Sequence, residues 1–384
     1  MRKILIFFSD TGGGHRAAAE AIREAIQRRY ADRYQVVLAD GIVQAALPPF
    51  NLVPKLYLPT TKYSPWGWGL LFNVTNSQWG ARVLTPIVQW VAGRGLTNIL
   101  ARENPDLVVT VHPLLTRVPA RAWSRLKPAA PFVTVVTDLF DAHVMWFTAP
   151  ADLLIVPTEG AREHGISWGF APDRIRVVGL PVSLKFARTG TGPVPEPAGA
   201  PCELRQRLGL APDLFTLLIV GGGEGMGQIA EITRAIANSG LPIQLAVIAG
   251  RNGALRKELG AETWPLPVRV EGFVTNMPEW LLASDLVVTK AGPGTIMETL
   301  AAGRPLLLSG YLPGQERGNV EFVVKTGVGV LRVTPRAIVQ QLREWLAPGN
   351  TALEQMRQRA REQARPNAAL EIAELLDELL VKLT

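Results

Sequence analysis

The sequence predicts an α/β protein of two Rossmann-like halves, and three observations carry that expectation. Short apolar, β-branched runs alternate with stretches of helical periodicity, the signature of a parallel sheet covered by helices on both faces. The order strand, glycine-rich turn, helix opens the chain and is repeated after its midpoint. Between the repeats lies a Gly/Pro-rich stretch, Thr189–Pro201, with the composition of a linker. At 384 residues the chain exceeds one ordinary core and suits two domains of roughly 150–200 residues each. The expected boundaries are a first domain at 1–186, a linker at 187–201, a second domain at 202–365 and a terminal helix at 366–384.

In the first half, Lys3–Ser9 reads as a buried strand, Thr11–His15 as a glycine turn, Arg16–Tyr30 as an amphipathic helix and Tyr34–Asp40 as a second strand. Strands follow at Leu107–Val111, Phe132–Thr137, Leu153–Pro157 and Ile175–Val178, with helices near Pro119–Leu126 and Glu159–Trp168. The second half restarts with the strand Phe215–Val220, the turn Gly221–Gly227 and the helix Gln228–Ser239. It continues with strands at Ile243–Ala249, Val268–Glu271, Leu286–Thr289 and Pro305–Leu308, and helices near Met277–Ala283 and Thr295–Ala302. Two helices broken at Pro366 close the chain. A cleft between two such domains is a natural ligand site.

Hydrophobic residues make up 47% and charged residues 19%, which excludes a disordered chain. The net charge of +7 points to an anionic partner. The single cysteine, Cys202, excludes an intrachain disulfide and a cysteine-based zinc site. No secretory signal and no run of roughly 18–20 uncharged apolar residues is present, so at a membrane the chain is expected to lie on the surface.

Three glycine turns carry candidate chemistry. In Ser9–Arg16, glycines allow close backbone approach and the following helix offers N–H groups and a positive dipole. Gly12, Gly14 and Ala17 with Asp40 also fit a loose dinucleotide fingerprint, and a purely structural turn is the plainer alternative. His15 favours catalysis: an imidazole at a helix start is kept neutral and suits a general base. Gly221–Gly227 forms a second possible phosphate cradle. The third, Thr289–Glu298, is the most specific. Gly292 and Gly294, with expected free N–H groups at Thr295 and Ile296, suit a phosphate, and Glu298 suits two ribose hydroxyls. The polar loop Pro313–Glu316 places Gln315 and Glu316 where sugar hydroxyls need partners that donate and accept.

Between Asp40 and Glu103 there is no acidic residue, while Lys55, Lys62, Arg82, Arg94 and Arg102 and four tryptophans, Trp66, Trp68, Trp79 and Trp90, are present. Tryptophan favours the membrane interface and basic side chains favour anionic headgroups. Tyr63–Phe72 therefore reads as an apolar, glycine-broken interfacial loop, with packing on its own domain as the alternative. The bases are too sparse for a nucleic-acid surface. His112 precedes Pro113 at a strand end, a good site position; His143 has no assigned role and His164 reads as helix surface. No HExxH, cysteine cluster or DxD pattern is present, so neither a metal nor a cofactor is expected.

Together the motifs SDTGGGHRAAAEAI (Ser9–Ile22), VHPLL (Val111–Leu115), FVTVVTDL (Phe132–Leu139), GLPV (Gly179–Val182), GGGEGMG (Gly221–Gly227), AGRN (Ala249–Asn252), GFVTNM (Gly272–Met277), TKAGPGTIMET (Thr289–Thr299) and PGQERGNVEFVV (Pro313–Val324) resemble the monogalactosyldiacylglycerol synthase family, in order and over nearly the whole chain. The resemblance implies an inverting glycosyltransferase of the GT-B fold, with two domains facing across a cleft and a terminal helix returning to the first. It implies His15 as catalytic base, Asp138 as a second acid, and Gly14 and His112 beside the acceptor. Trp66, Trp68, Lys62 and Arg82 fall to the acceptor or membrane surface. It implies a UDP-hexose donor: Gly223 and the Gly292–Thr295 turn at the diphosphate, Phe273 and Val274 at the uracil, Glu298 at the ribose, Gln315 and Glu316 at the hexose, with Arg251 and Ile296 also in the donor site. The implied partners are diacylglycerol and an anionic lipid surface at the cytoplasmic face of the cell membrane. The stretch Phe140–Phe147 departs from the family's usual His-Pro before a Trp-Phe pair. The alternatives are a diacylglycerol glucosyltransferase or a transferase to another lipid-linked acceptor and, from another class, a nucleotide-sugar epimerase or a non-catalytic UDP-sugar-binding protein.

Overall fold

A computed structural model describes residues 1–11, 13–187, 200–225 and 227–382; the side chains of Leu58, Lys62, Ala200 and Pro201 lie outside the description. The described residues fall into two compact units. The first takes its residues from Met1–Ala187, Leu312–Gly318 and Pro366–Thr384, the second from Arg188–Tyr311 and Asn319–Arg365.

In the first unit the chain runs β1 (Arg2–Phe8), α1 (Gly14–Tyr30), β2 (Tyr34–Asp40), α2 (Val53–Tyr63), α3 (Pro65–Thr75), α4 (Gln78–Glu103), β3 (Leu107–Thr110), α5 (Arg117–Leu126), β4 (Phe132–Val135), β5 (Leu153–Val156), α6 (Glu159–Ser167) and β6 (Ile175–Val177). Its six strands form one sheet in the order β2-β1-β3-β4-β5-β6, with every pairing parallel. β3, β4 and β5 are buried along their whole length, as covered parallel strands must be, which is why they read as unbroken apolar runs. α1 is rich in alanine, a strong helix former, and turns Ala18, Ala19, Ile22, Ala25 and Ile26 into the core at helical spacing.

The continuation is α7 (Ala200–Arg207), β7 (Phe215–Val220), α8 (Ile229–Ala237), β8 (Ile243–Ile248), α9 (Gly253–Gly260), β9 (Val268–Glu271), α10 (Met277–Ala283), β10 (Leu286–Lys290), α11 (Pro293–Ala301), β11 (Leu306–Gly310), α12 (Arg317–Lys325), β12 (Gly329–Leu331), α13 (Pro335–Trp345) and α14 (Ala352–Gln363). Its sheet is also six-stranded and parallel, in the order β12-β11-β10-β7-β8-β9. The last helix, α15 (Ala368–Val381), belongs to the first unit, where Ala369, Ile372, Leu376 and Leu380 pack with Ala19, Ile22, Ala25 and Ile26 of α1.

Two expectations change. Tyr63–Phe72 is not a loop: all but Ser64 of it lies in α2 and α3. Proline stands in the first turn of both helices, where its fixed φ fits and its missing N–H costs nothing. Residues 312–318, placed in the second domain by sequence, pack in the first unit: a Cβ on Gly69 of α3 would stand 2.9 Å from the Pro313 side chain. The expected linker at 187–201 falls mostly on 188–199, outside the described residues; its last two residues, Ala200 and Pro201, begin α7.

Candidate functional site

In an open parallel sheet, ligands gather beyond the carboxyl ends of the strands where the winding direction reverses. In the first sheet the reversal lies between β1 and β3, and in the second between β7 and β10. The Ser9–His15 turn and His112 end at the first point; the Gly221–Gly225 and Lys290–Gly292 turns end at the second.

Asp40 holds the first turn together. Its buried carboxylate accepts from Ser9 Oγ at 3.1 Å and from the N–H groups of Asp10 (3.2 Å), Ile42 (3.2 Å) and Val43 (2.9 Å). A carboxylate so engaged is no ribose ligand, which removes the dinucleotide alternative. Gly13 takes a left-handed φ of 83° and starts α1 at Gly14, so His15 is the second helical residue. His15 Nδ1 lies 3.0 Å from Thr137 Oγ1, and its ring meets that of His112 edge-on at 4.6 Å between centroids. Burial lowers the His15 pKa to about 4, against a hydrogen bond to the Val111 backbone that raises it. The ring is therefore neutral at ordinary pH and able to take a proton.

His112 is almost fully buried, which together with the nearby His15 holds its pKa well below the usual value. Its Nδ1 accepts the Leu114 N–H at 3.3 Å, so the neutral ring carries its proton on Nε2 and donates it to Thr11 Oγ1 at 3.2 Å. His143 repeats the device: Nδ1 accepts the Met145 N–H at 3.2 Å, and Nε2 sits 3.2 Å from Thr75 Oγ1. Each histidine caps a 3-10 turn, Pro113–Leu115 and Val144–Phe147 respectively. His164 accepts from Trp168 Nε1 at 3.0 Å within and just beyond α6.

Asp138 accepts from Trp146 Nε1 at 2.6 Å, and the Trp146 ring lies 6.1 Å from His15. Burial raises the Asp138 pKa to about 6; the Trp146 hydrogen bond opposes this, and the carboxylates of Asp141 and Glu316 add to it. Thr11, Thr137 and Trp146 are the residues that sequence reading missed here. Part of the signal for Trp146 was available: a buried indole N–H needs an acceptor, but Asp141 and Asp152 lie nearer to it in sequence than Asp138, so only the structure selects the partner.

Gln315 and Glu316 sit among side chains of the first unit. The Gln315 carbonyl accepts from Tyr57 OH and Trp68 Nε1, both at 3.1 Å, and Glu316 accepts the Leu312 N–H at 2.8 Å. Trp66, 80% exposed, and Trp68, turned inward, lie on opposite sides of α3 because two helical residues differ by about 200°. Only Trp66 of the two therefore faces out. Leu56, Tyr63, Leu70, Leu71, Trp79 and Trp90 are also more than half exposed, and Arg82 is exposed beside them. The Lys62 side chain lies outside the described residues.

In the second unit the turn after β7 bends through left-handed Gly222 (φ 71°) and Gly225 (φ 61°), and the Gly223 carbonyl accepts the Arg251 N–H at 2.8 Å. The loop after β8 interlocks with it: a Cβ on Gly225 would stand 2.1 Å from the Ala249 carbonyl oxygen. Arg251 pairs with Glu224 at 2.7 Å and covers the ring of Phe273 at 4.6 Å. Phe273 and Val274 follow β9, with Phe273 55% exposed.

At α11, Pro293 has no N–H and the Gly292 N–H donates to Lys290 O at 2.8 Å. The Ile296 N–H, expected to be free, closes the first helical turn on Gly292 O at 3.1 Å. The orphan donors of this helix start are therefore Gly294 and Thr295. Lys290, to which sequence assigned no role, has its side chain beside both turns: a Cβ on Gly292 would lie 3.3 Å from Nζ, and one on Gly222 3.7 Å from Cε. Burial raises the Glu298 pKa to about 7. Among the described residues no three His, Cys, Asp or Glu side chains group as metal ligands, and no helix is long and apolar enough to cross a membrane.

Comparison with known proteins bears on the fold and the family. Residues 15–182 match the family model for monogalactosyldiacylglycerol (MGDG) synthase, and residues 216–372 match the glycosyltransferase family 28 C-terminal domain. Among solved structures, Acinetobacter baumannii MurG superposes with a TM-score of 0.63 at 16% identity over 98% of this chain and 100% of that one. Staphylococcus aureus MnaA, solved with UDP, gives 0.61 at 16% identity over 100% of this chain and 98% of that one. Fold and family models together define a glycosyltransferase of the GT-B class. A probable MGDG synthase, chloroplastic, from Glycine max is 38% identical over 99% of this chain and 72% of that protein. The chain belongs to the monogalactosyldiacylglycerol synthase family.

Proposed function

We propose that the protein transfers a hexose, galactose in preference to glucose, from a UDP-sugar to 1,2-diacylglycerol with inversion at the anomeric carbon. The observation that carries this reading is His15, a histidine kept neutral by burial at the reversal point of the first sheet, in a chain of this family.

The glycerol hydroxyl oxygen attacks C1 of the hexose while the bond from C1 to the diphosphate oxygen breaks. Its proton passes to His15, and the electron pair of the broken bond leaves with UDP. Thr137 orients the imidazole at 3.0 Å, and Asp138, ionised above about pH 6, stabilises the imidazolium that forms. The charge growing on the diphosphate meets the N–H groups of Gly294 and Thr295 and the Lys290 ammonium. Glu298 accepts from the ribose hydroxyls, Phe273 and Val274 take the uracil, and Gln315 and Glu316 take the hexose.

The acceptor is supplied from a bilayer. The exposed aromatic and aliphatic side chains of α2, α3 and α4, with Arg82 and Lys55 among them and no acid between Asp40 and Glu103, suit an anionic lipid surface. We assign the protein to the cytoplasmic face of the cell membrane as a peripheral protein.

The test is product formation by mass spectrometry. Purified protein is given diacylglycerol in anionic liposomes with UDP-galactose or UDP-glucose separately. A hexosyl-diacylglycerol from UDP-galactose is expected. No lipid product from either donor, with UDP binding intact, rejects the assignment.

A further inference from the structure

The side chain of Gln315 is held from behind. Two donors converge on its carbonyl oxygen, Tyr57 OH from α2 and Trp68 Nε1 from α3, each at 3.1 Å. The two rings stack edge-to-face at 5.1 Å and 90°, so each fixes the other. An indole N–H can only donate, so the Gln315 atom it meets is the oxygen and the amide NH2 points the other way. The Tyr57 phenol stays protonated, since burial and the neighbouring Glu316 carboxylate raise its pKa far above ordinary pH, so it is able to donate to this oxygen.

The backbone under Gln315 is clamped by the same helix. Gly314 turns with a φ of 81°, and a Cβ there would stand 3.1 Å from the Gly69 carbonyl oxygen and from the Phe72 ring. Gly69 in turn admits Pro313, for a Cβ at 69 would lie 2.9 Å from it. The inner side of α3, Trp68, Gly69 and Phe72, thus shapes this loop, while its outer side carries Trp66 and Leu70, 80% and 68% exposed.

We propose that Tyr57 and Trp68 are positioning residues for the donor sugar, which hold the Gln315 carbonyl so that its amide can only donate to a hexose hydroxyl. The inference rests on the reading of Gln315 as a hexose contact. Trp68 carries most of the effect, because a tyrosine hydroxyl can follow a flipped amide by accepting from it, whereas an indole cannot.

The experiment is a double-mutant cycle on the full chain, with KM for the UDP-sugar and for diacylglycerol read separately. Trp68→Phe keeps a ring against Tyr57 and deletes the N–H. It is expected to raise the donor KM roughly fivefold, the worth of about one hydrogen bond, with the acceptor KM and kcat little changed; Tyr57→Phe is expected to do less. Gln315→Ala raises the donor KM as well, and Gln315→Ala with Trp68→Phe is no worse than Gln315→Ala alone. If the two effects multiply, or if Trp68→Phe leaves the donor KM unchanged while Gln315→Ala raises it, the positioning role is wrong and the hexose contact survives. If Gln315→Ala leaves the donor KM unchanged, the hexose contact fails and the positioning role with it. Unaltered liposome binding by each variant separates these outcomes from loss of fold.

Discussion

The glycine turns of the two sheets follow the same plan, a parallel strand, a turn and a helix start at the point where a sheet reverses, yet they carry different side chains. The first is surrounded by rings, the imidazoles of His15 and His112 and the indole of Trp146, the latter two lying 4.6 and 6.1 Å from His15, with Asp138 bonded to the indole. Burial keeps these imidazoles neutral, the state in which the proposed function has His15 accept a proton. The turns of the second sheet carry the N–H groups of Gly294 and Thr295 and the side chains of Lys290 and Arg251, to which the proposed function gives the negative charge of the donor. One scaffold serves both ends because the strand and helix fix only the place. Side chains decide whether a proton or an anion is handled there.

The contrast breaks most easily at His15. His15→Ala is expected to lower kcat by about a thousandfold, within the range of a lost general base, with UDP affinity by calorimetry unchanged. A variant that instead lost UDP would move the first turn into the donor site. Next comes Asp138→Asn, expected to cost about a hundredfold in kcat/KM. The pH profile sharpens this. His15 is deprotonated above about pH 4, so the acid limb of the wild-type profile should lie near pH 6, where Asp138 ionises. Asp138→Asn should remove that limb; its persistence would assign it elsewhere.

Smaller effects test the second turn. Gly225→Ala meets the Ala249 carbonyl and a φ of 61°, and should destabilise the fold by about 1–3 kcal/mol. Gly14→Ala, with no heavy atom within 4 Å of the added Cβ, should leave thermal stability nearly unchanged. Lys290→Met should weaken UDP about tenfold, the worth of one charged hydrogen bond, and leave uridine binding as it was; equal losses for both would place the lysine away from the diphosphate. The smallest effect on binding concerns Glu298. Its pKa of about 7 means that the carboxylate, the better acceptor, appears as pH rises through 7. UDP affinity should therefore increase severalfold from about pH 6 to 8, and Glu298→Gln should flatten the dependence.

The alternating strands and both glycine turns were legible because each is a local pattern of a few residues. His15 was legible because a helix start gives an imidazole a defined environment. The helices α2 to α4 were not, since their outward faces are apolar (Trp66, Leu70, Trp79, Trp90) and erase the polar–apolar period that marks a surface helix. The grip of Tyr57 and Trp68 on Gln315 spans 258 and 247 residues of sequence, beyond any local signal. The free N–H at Ile296 was misplaced by one residue because the cap falls on Gly292, which only the backbone reveals.

The return of α15 to the first unit bears on the order in which the protein can mature on the ribosome. Ile372, Leu376 and Leu380 are fully buried against α1, and Tyr34 and Arg33 reach Asp377 beside it. Burying three such side chains is worth about 1.5–3 kcal/mol each, comparable in sum with the whole net stability of a domain, about 5–15 kcal/mol. The α1 face must therefore stay open until α15, made after the residues of the second unit, has emerged. A nascent chain with an exposed α1 face is a natural client for a chaperone, and the first unit closes only after the residues of the second have been made.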